Sequence, residues 1–262
     1  MTRSVVVVQH GIWGSTADMN RLELALCQHG HIVLNISANT GQTTDGISTG
    51  GIRSLDAFLP DLRPGDTVSF IGHSLGGMYL LSALHEWHAR SITDEDTRTL
   101  LNGITFGTIA LVASPLRGLS NWLIRYGSYL LPGRTFRDLT RTQTDAWLRS
   151  DVIQRFQARW LVGNISDDIL VNAHASLLLT HDMHAELERD MCKEAEPGPC
   201  TVREIAQHLP GTATTWRRVA CYFPRKWYGL PGAAHKKIIG HPQDRQHAGE
   251  RILDFIVNHL QA

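Results

Sequence analysis

The chain has 262 residues, enough for one large α/β domain with a buried core or for two small ones. Its 42% hydrophobic and 19% charged residues fit a globular protein, and a formal net charge of zero offers no footprint for nucleic acid and no basic face for a membrane. No apolar run reaches the roughly 18 residues of a membrane-spanning helix. The amino-terminal valine run is too short for a secretion signal and lacks a small-residue cleavage site, so the expected location is cytoplasmic.

Val5 to Val8 form a β-branched run that predicts a fully buried strand, ending in the glycine-punctuated loop "QHGIWGST". Asp18 to His29 has helical spacing, and "HIVLNIS" (31–37) predicts a second strand. After a polar loop to Gly51, a short helix is expected over Ile52 to Leu59. "GDTVSFIG" (65–72) predicts a third strand, introduced by the turn at Pro64-Gly65, and Leu75 to Arg90 a strong helix. "GITFGTIALVAS" (103–114) is a fourth strand candidate, Arg159 to Val162 lies in a fifth, and "RRVACYF" (217–223) holds a sixth from Arg218 to Phe223. A closing amphipathic helix is expected from about Gln243 to Leu260, with Ile252, Phe255, Ile256 and Leu260 on one face.

Apolar strands alternating with helices predict a mostly parallel sheet flanked by helices on both faces. Two stretches break the alternation, about 115–158 and 172–215, and excursions of that length in a compact domain are usually functional insertions. The first holds "LSNWLIRYGSYLLPG" (119–133). Its apolar residues suit either a helix on the sheet or a lid over a cleft.

The four cysteines, Cys27, Cys192, Cys200 and Cys221, form no C-x-x-C pair, so neither a zinc site nor a thioredoxin-like motif is expected. Free thiols are the expected state, and a Cys192–Cys200 bridge would need an oxidising compartment. The 14 histidines are scattered along the chain and most are expected at the surface.

"FIGHSLGG" (70–77) places Ser74 between Gly72 and Gly76, after a strand and before a helix. G-x-S-x-G in that setting is a nucleophile elbow: the serine sits on a strained turn, side chains two residues away would collide with the flanking elements, and the helix directs its amides at the hydroxyl. A serine nucleophile needs a base, and the base an orienting carboxylate, in the chain order serine, acid, histidine. "GNISDDILVN" offers Asp167 and Asp168 at the carboxyl end of the fifth strand. His235 and His241 both lie between the sixth strand and the closing helix, His241 nearly at the helix start, while His247 falls inside the expected helix. His10-Gly11, directly after the first strand, resembles the oxyanion loop of α/β-hydrolases, which gives the amides of Ile12 and Leu75 the oxyanion role and leaves His10 a structural one.

Together "VVVVQHGIWGSTADM", "VSFIGHSLGGMYL", "ITFGTIALVASPLRGL" and "RWLVGNISDDILV" resemble the DUF676 serine esterases, lipase-like α/β-hydrolases. They cover about the first 175 residues; the remainder is similar in layout. In that family an asparagine precedes the acid by four residues, which from Asn164 selects Asp168. Two departures stand out: Pro115-Leu116-Arg117-Gly118 where similar proteins read Pro-His-Leu-Gly, and Val171-Asn172 in place of Val-Pro. The first expected strand is that of the oxyanion loop itself, without the two antiparallel edge strands that many α/β-hydrolases place before it.

The resemblance implies a single α/β-hydrolase domain over 1–262 with a cap or lid insertion at 115–158. Ser74, Asp168 and His235 would be catalytic, and Trp122, Leu123 and Leu130 would line the substrate site. No cofactor and no metal are expected. The implied partner is a small-molecule ester or lipid, with transient contact to a lipid surface through the lid and no obligate protein partner. The same triad serves thioesterases and depalmitoylating enzymes, and the sequence does not separate oxygen esters from thioesters. A non-catalytic α/β-hydrolase scaffold that binds other proteins is the reading from another class. It normally goes with a lost nucleophile or base, and candidates for both are present here.

Overall fold

The valines of strand β1 (Ser4–Gln9) divide by parity: Val5 and Val7 enter one apolar cluster, Val6 and Val8 another, and all four are buried. A strand that buries both sets of side chains belongs in the middle of a sheet covered on both faces. The structure, a computed structural model, describes residues 2–119, 133–141, 144–166, 168, 170–194, 200–205, 216–223, 234–239 and 249–260.

Parallel to β1 run β2 (Ile32–Ile36) on one side and β3 (Thr67–His73) on the other. Beyond β3 lie β4 (Thr105–Val112), β5 (Ala158–Asn164), β7 (Arg217–Tyr222) and β6 (Thr201–Ile205), giving the order β2-β1-β3-β4-β5-β7-β6 among the described residues. Every neighbouring pair is parallel except β6–β7. This is the α/β-hydrolase sheet expected from the sequence. β6 has no counterpart among the expected strands: it lies in the stretch 172–215 that the sequence suggests is an insertion, and its residues, half-buried except for the exposed Glu204, form the edge of the described sheet.

Helices α1 (Asn20–Gln28) and α11 (Glu250–Leu260) cover one face, through Leu22, Leu26, Ile252 and Ile256. On the other face lie α2 (Ile47–Phe58), α3 (Leu75–Thr93) and α4 (Glu95–Gly103), burying Phe58, Trp87 and Leu101. Between β4 and β5 come α5 (Thr135–Arg141), α6 (Thr144–Leu148) and α7 (Asp151–Gln154); α8 (Ala173–Ser176) and α9 (His181–Glu194) follow β5; α10 (Ala234–Lys237) follows β7. The described part of the closing helix begins at Glu250, and residues 243–248 of its expected range lie outside the described residues.

Helix α2 begins five residues earlier than the sequence suggests. Gly50 and Gly51 look like loop residues because glycine lowers helix propensity. A β-carbon at either would strike Tyr79 or Ser82 of α3, so these glycines let the two helices approach closely.

From β1 the chain moves outward to β2, then passes back to β3 and on to β4 and β5. That reversal opens a crevice at the carboxyl ends of β1 and β3, the position where sheets of this kind hold ligands.

At the opposite end, Arg3 Nε and Nη2 donate to Asp66 Oδ1 and Oδ2 at 2.8 and 2.6 Å, and the Arg63 amide adds a 2.8 Å bond. Arg3 holds the Asp66 carboxyl below the ordinary carboxylate range, against the opposing effect of burial. A carboxyl depressed in the folded state stabilises the fold above its unfolded value, near pH 4, and that contribution fades as pH falls through the folded value. Asp66→Asn is therefore expected to cost on the order of 1–3 kcal/mol in urea unfolding at pH 7. The gap from the unaltered protein should narrow below about pH 4, and a gap constant down to pH 3 would show that the ion pair is not its source.

Candidate active site

Strand β3 delivers Ser74 to the crevice. Its backbone sits at φ 54° and ψ −127°, a conformation that non-glycine residues seldom adopt, and helix α3 starts at the next residue. Two backbone bonds fix the turn: Ser74 N donates to Val112 O on β4 at 2.8 Å, and Gly77 N donates to Ser74 O at 3.1 Å. A β-carbon on Gly72 would run into the backbone of Gly76 and Gly77, and one on Gly76 into the carbonyls of Gln9 and His10. The two glycines therefore let the strand approach the start of α3, and let α3 approach the end of β1.

The remaining two residues of the expected triad come from distant parts of the chain. His235, on α10, brings Nε2 to 2.9 Å from Ser74 Oγ and Nδ1 to 2.8 Å from Asp168 Oδ2. The carboxylate of Asp168 is bound on every side by donors: Asn164 Nδ2 to Oδ2 at 2.9 Å, and the amides of Leu170 and Val171 to Oδ1 at 3.1 and 2.9 Å. A carboxylate accepting from Nδ1 puts the imidazole proton on that nitrogen, so the Nε2 lone pair faces the serine hydroxyl. All three side chains are buried.

On the other side of the serine, a β-carbon on Gly11 would lie 2.7 Å from Ser74 Cβ, so the loop after β1 runs directly against the nucleophile candidate. Ile12 is the next residue of that loop. Leu75 opens α3, where amides have no acceptor one turn earlier and the helix dipole favours negative charge. His10 is buried in the same loop, with Nδ1 3.0 Å from Gly11 O and Nε2 3.3 Å from Thr40 Oγ1; burial lowers its pKa. These contacts suit a structural histidine.

Asp167, His241, His247, Trp122, Leu123 and Leu130 lie outside the described residues. Near the same mouth, α5 is tied to the loop before α2: Ile47 N donates to Asp138 Oδ2 and Thr135 Oγ1 to Thr43 O, both at 2.9 Å. Two further residues lie at the site that no expectation from the sequence includes. Trp13 is 68% exposed at φ 54°, its ring 5.9 Å from Phe136, and its signal was a bulky aromatic in the glycine-bounded "GIWG". His73 is buried and meets the backbone of His235, and its signal was the histidine inside the serine motif.

Among the described residues no group of three or more His, Cys, Asp or Glu side chains could hold a metal ion. No described helix is long and apolar enough to cross a membrane. The four cysteines are free, Cys200 and Cys221 buried and Cys27 and Cys192 exposed.

Residues 2–131 match the family described as Putative serine esterase (DUF676), the family whose motifs the sequence resembles. No curated protein matches the chain. Among solved structures, the ydeN gene product from B. subtilis is similar over 100% of both chains, at 14% identity and a TM-score of 0.51. A pyrethroid hydrolase from Sphingobium faniae aligns over 100% of this chain and 98% of its own, at 12% identity and a TM-score of 0.46. Tomato Methylketone Synthase I aligns over 45% of this chain and 42% of its own, at 14% identity and a TM-score of 0.30. The family match supports hydrolysis of an ester; the likeness to the ydeN gene product, at 14% identity, speaks to the fold alone.

Proposed function

We propose that the protein is a serine hydrolase that cleaves carboxylic esters through an acyl-enzyme. Ser74 Oγ attacks the ester carbonyl while His235 Nε2 takes its proton. The amides of Ile12 and Leu75 hold the oxyanion, and Asp168 stabilises the imidazolium through Nδ1–H. His235 then protonates the departing alcohol, and water repeats the sequence to release the acid. The observation that carries this reading is the buried hydrogen-bonded line from Ser74 through His235 to Asp168, at 2.9 and 2.8 Å.

A lipid ester is the substrate class we favour. Trp13 keeps a large apolar ring in water on a strained backbone beside the serine loop, a cost that core packing does not explain. The apolar composition of residues 119–131 points the same way.

A fluorophosphonate probe tests the reading, because its phosphorus is attacked only by an activated serine and fluoride leaves. The native protein should label in a 1:1 ratio and Ser74→Ala should not; an unlabelled native protein would remove the hydrolase reading. Among p-nitrophenyl esters, rates should then rise with acyl length, and a flat series would leave a general esterase.

A further inference from the structure

The residue before the nucleophile has no part in the mechanism above, yet its side chain ends on the base. Gly72 faces α3, since a β-carbon there would strike Gly77. Alternation along β3 therefore turns His73 to the opposite face, where Ile238 and Ile239, just after α10, are buried. There His73 Nε2 lies 2.9 Å from the carbonyl oxygen of His235, and the two rings lie 4.9 Å apart at 44°. A carbonyl only accepts, so Nε2 carries the proton and donates. Both histidines are buried, and among the described residues no other side chain donates to the backbone of His235.

We propose that His73 is a positioning residue for the base: its Nε2–H pins the carbonyl of His235, and its ring backs the imidazole, so that Nε2 and Nδ1 of His235 face Ser74 and Asp168 together. This rests on the reading of those three residues as the reacting set. α10 has only four residues, too few to hold itself in place. The strand that presents the nucleophile thereby also fixes the base, and the separation of the two is set by adjacent residues, Ser74 and His73. His73 touches no substrate, so it affects kcat and leaves KM nearly unchanged.

The test compares the native protein with His73→Phe, which keeps a ring and loses the donor, and His73→Gln, whose Nε2 reaches about as far and donates. The concentration of reactive sites is counted on a separate sample by fluorophosphonate titration, so that kcat of the untreated protein is expressed per competent site. The His235 Nδ1–H proton is followed by NMR without substrate. His73→Phe should lower kcat roughly 10- to 100-fold at similar KM and broaden the Nδ1–H signal into solvent exchange. His73→Gln should recover kcat to within roughly threefold and keep the signal. A Phe variant with native kcat and signal overturns the proposal. So does equal loss in both variants with a matching fall in melting temperature, which marks a packing role. A native protein that neither labels nor turns over ester defeats the esterase reading instead, and the resonance still decides whether His73 holds His235.

Discussion

Ser74→Ala is expected to abolish turnover of a soluble p-nitrophenyl ester, by on the order of 10⁴- to 10⁶-fold in kcat, while the protein stays folded. The substitution removes one oxygen, whose partner in the structure is His235 Nε2 at 2.9 Å. The bonds that shape the elbow, Ser74 N to Val112 O and Gly77 N to Ser74 O, belong to the backbone and survive. Alanine at φ 54° is strained much as serine is, so the melting temperature should move by no more than a few degrees. Residual rate would come from the oxyanion donors and from binding. A folded, purified Ser74→Ala protein with native turnover would place the chemistry elsewhere in the molecule.

The serine turn is legible in the sequence because its constraints are local. Gly72, Ser74 and Gly76 sit within five residues, and the strand and helix that give them meaning adjoin them. The residues alone offer both Asp167 and Asp168, and it is the family resemblance, counted from Asn164, that selects Asp168; the Asn164 amide on Asp168 Oδ2 is a contact of the fold. What the sequence left open depends on distant contacts. Two histidines, His235 and His241, suit the base in the sequence, and the 2.9 Å approach of His235 to Ser74 is a contact across 161 residues that no local pattern displays. Gly50 and Gly51 read as loop until Tyr79 and Ser82 lie against them. Strand β6 has no clear alternation, and its pairing with β7 supplies what its sequence lacks. α4 is a different case: Asp94 accepts from Thr97 N at 3.1 Å, a local cap whose signal, an aspartate opening an acidic run, is present in the sequence.

Asp168→Asn should keep the fold and lower kcat by roughly 10³- to 10⁴-fold. The reason lies in the donor count. Oδ1 accepts from the amides of Leu170 and Val171, and Oδ2 accepts from Asn164 Nδ2 and His235 Nδ1. An asparagine has one acceptor atom for these two sets. If its oxygen stays with the backbone amides, its NH₂ faces Asn164 and His235; the imidazole then moves its proton to Nε2, which can no longer take one from Ser74. If the side chain flips, its NH₂ opposes two backbone donors and the loop after β5 shifts, which carries residue 168 away from the base. Both arrangements lose the imidazolium's counter-charge. Loss of rate with labelling by fluorophosphonate slowed in proportion, at a nearly unchanged melting temperature, is the expected result. Asp167→Asn should be mild; a larger loss there than at position 168 would show that Asp167 is the acid and that the count from Asn164 is off by one.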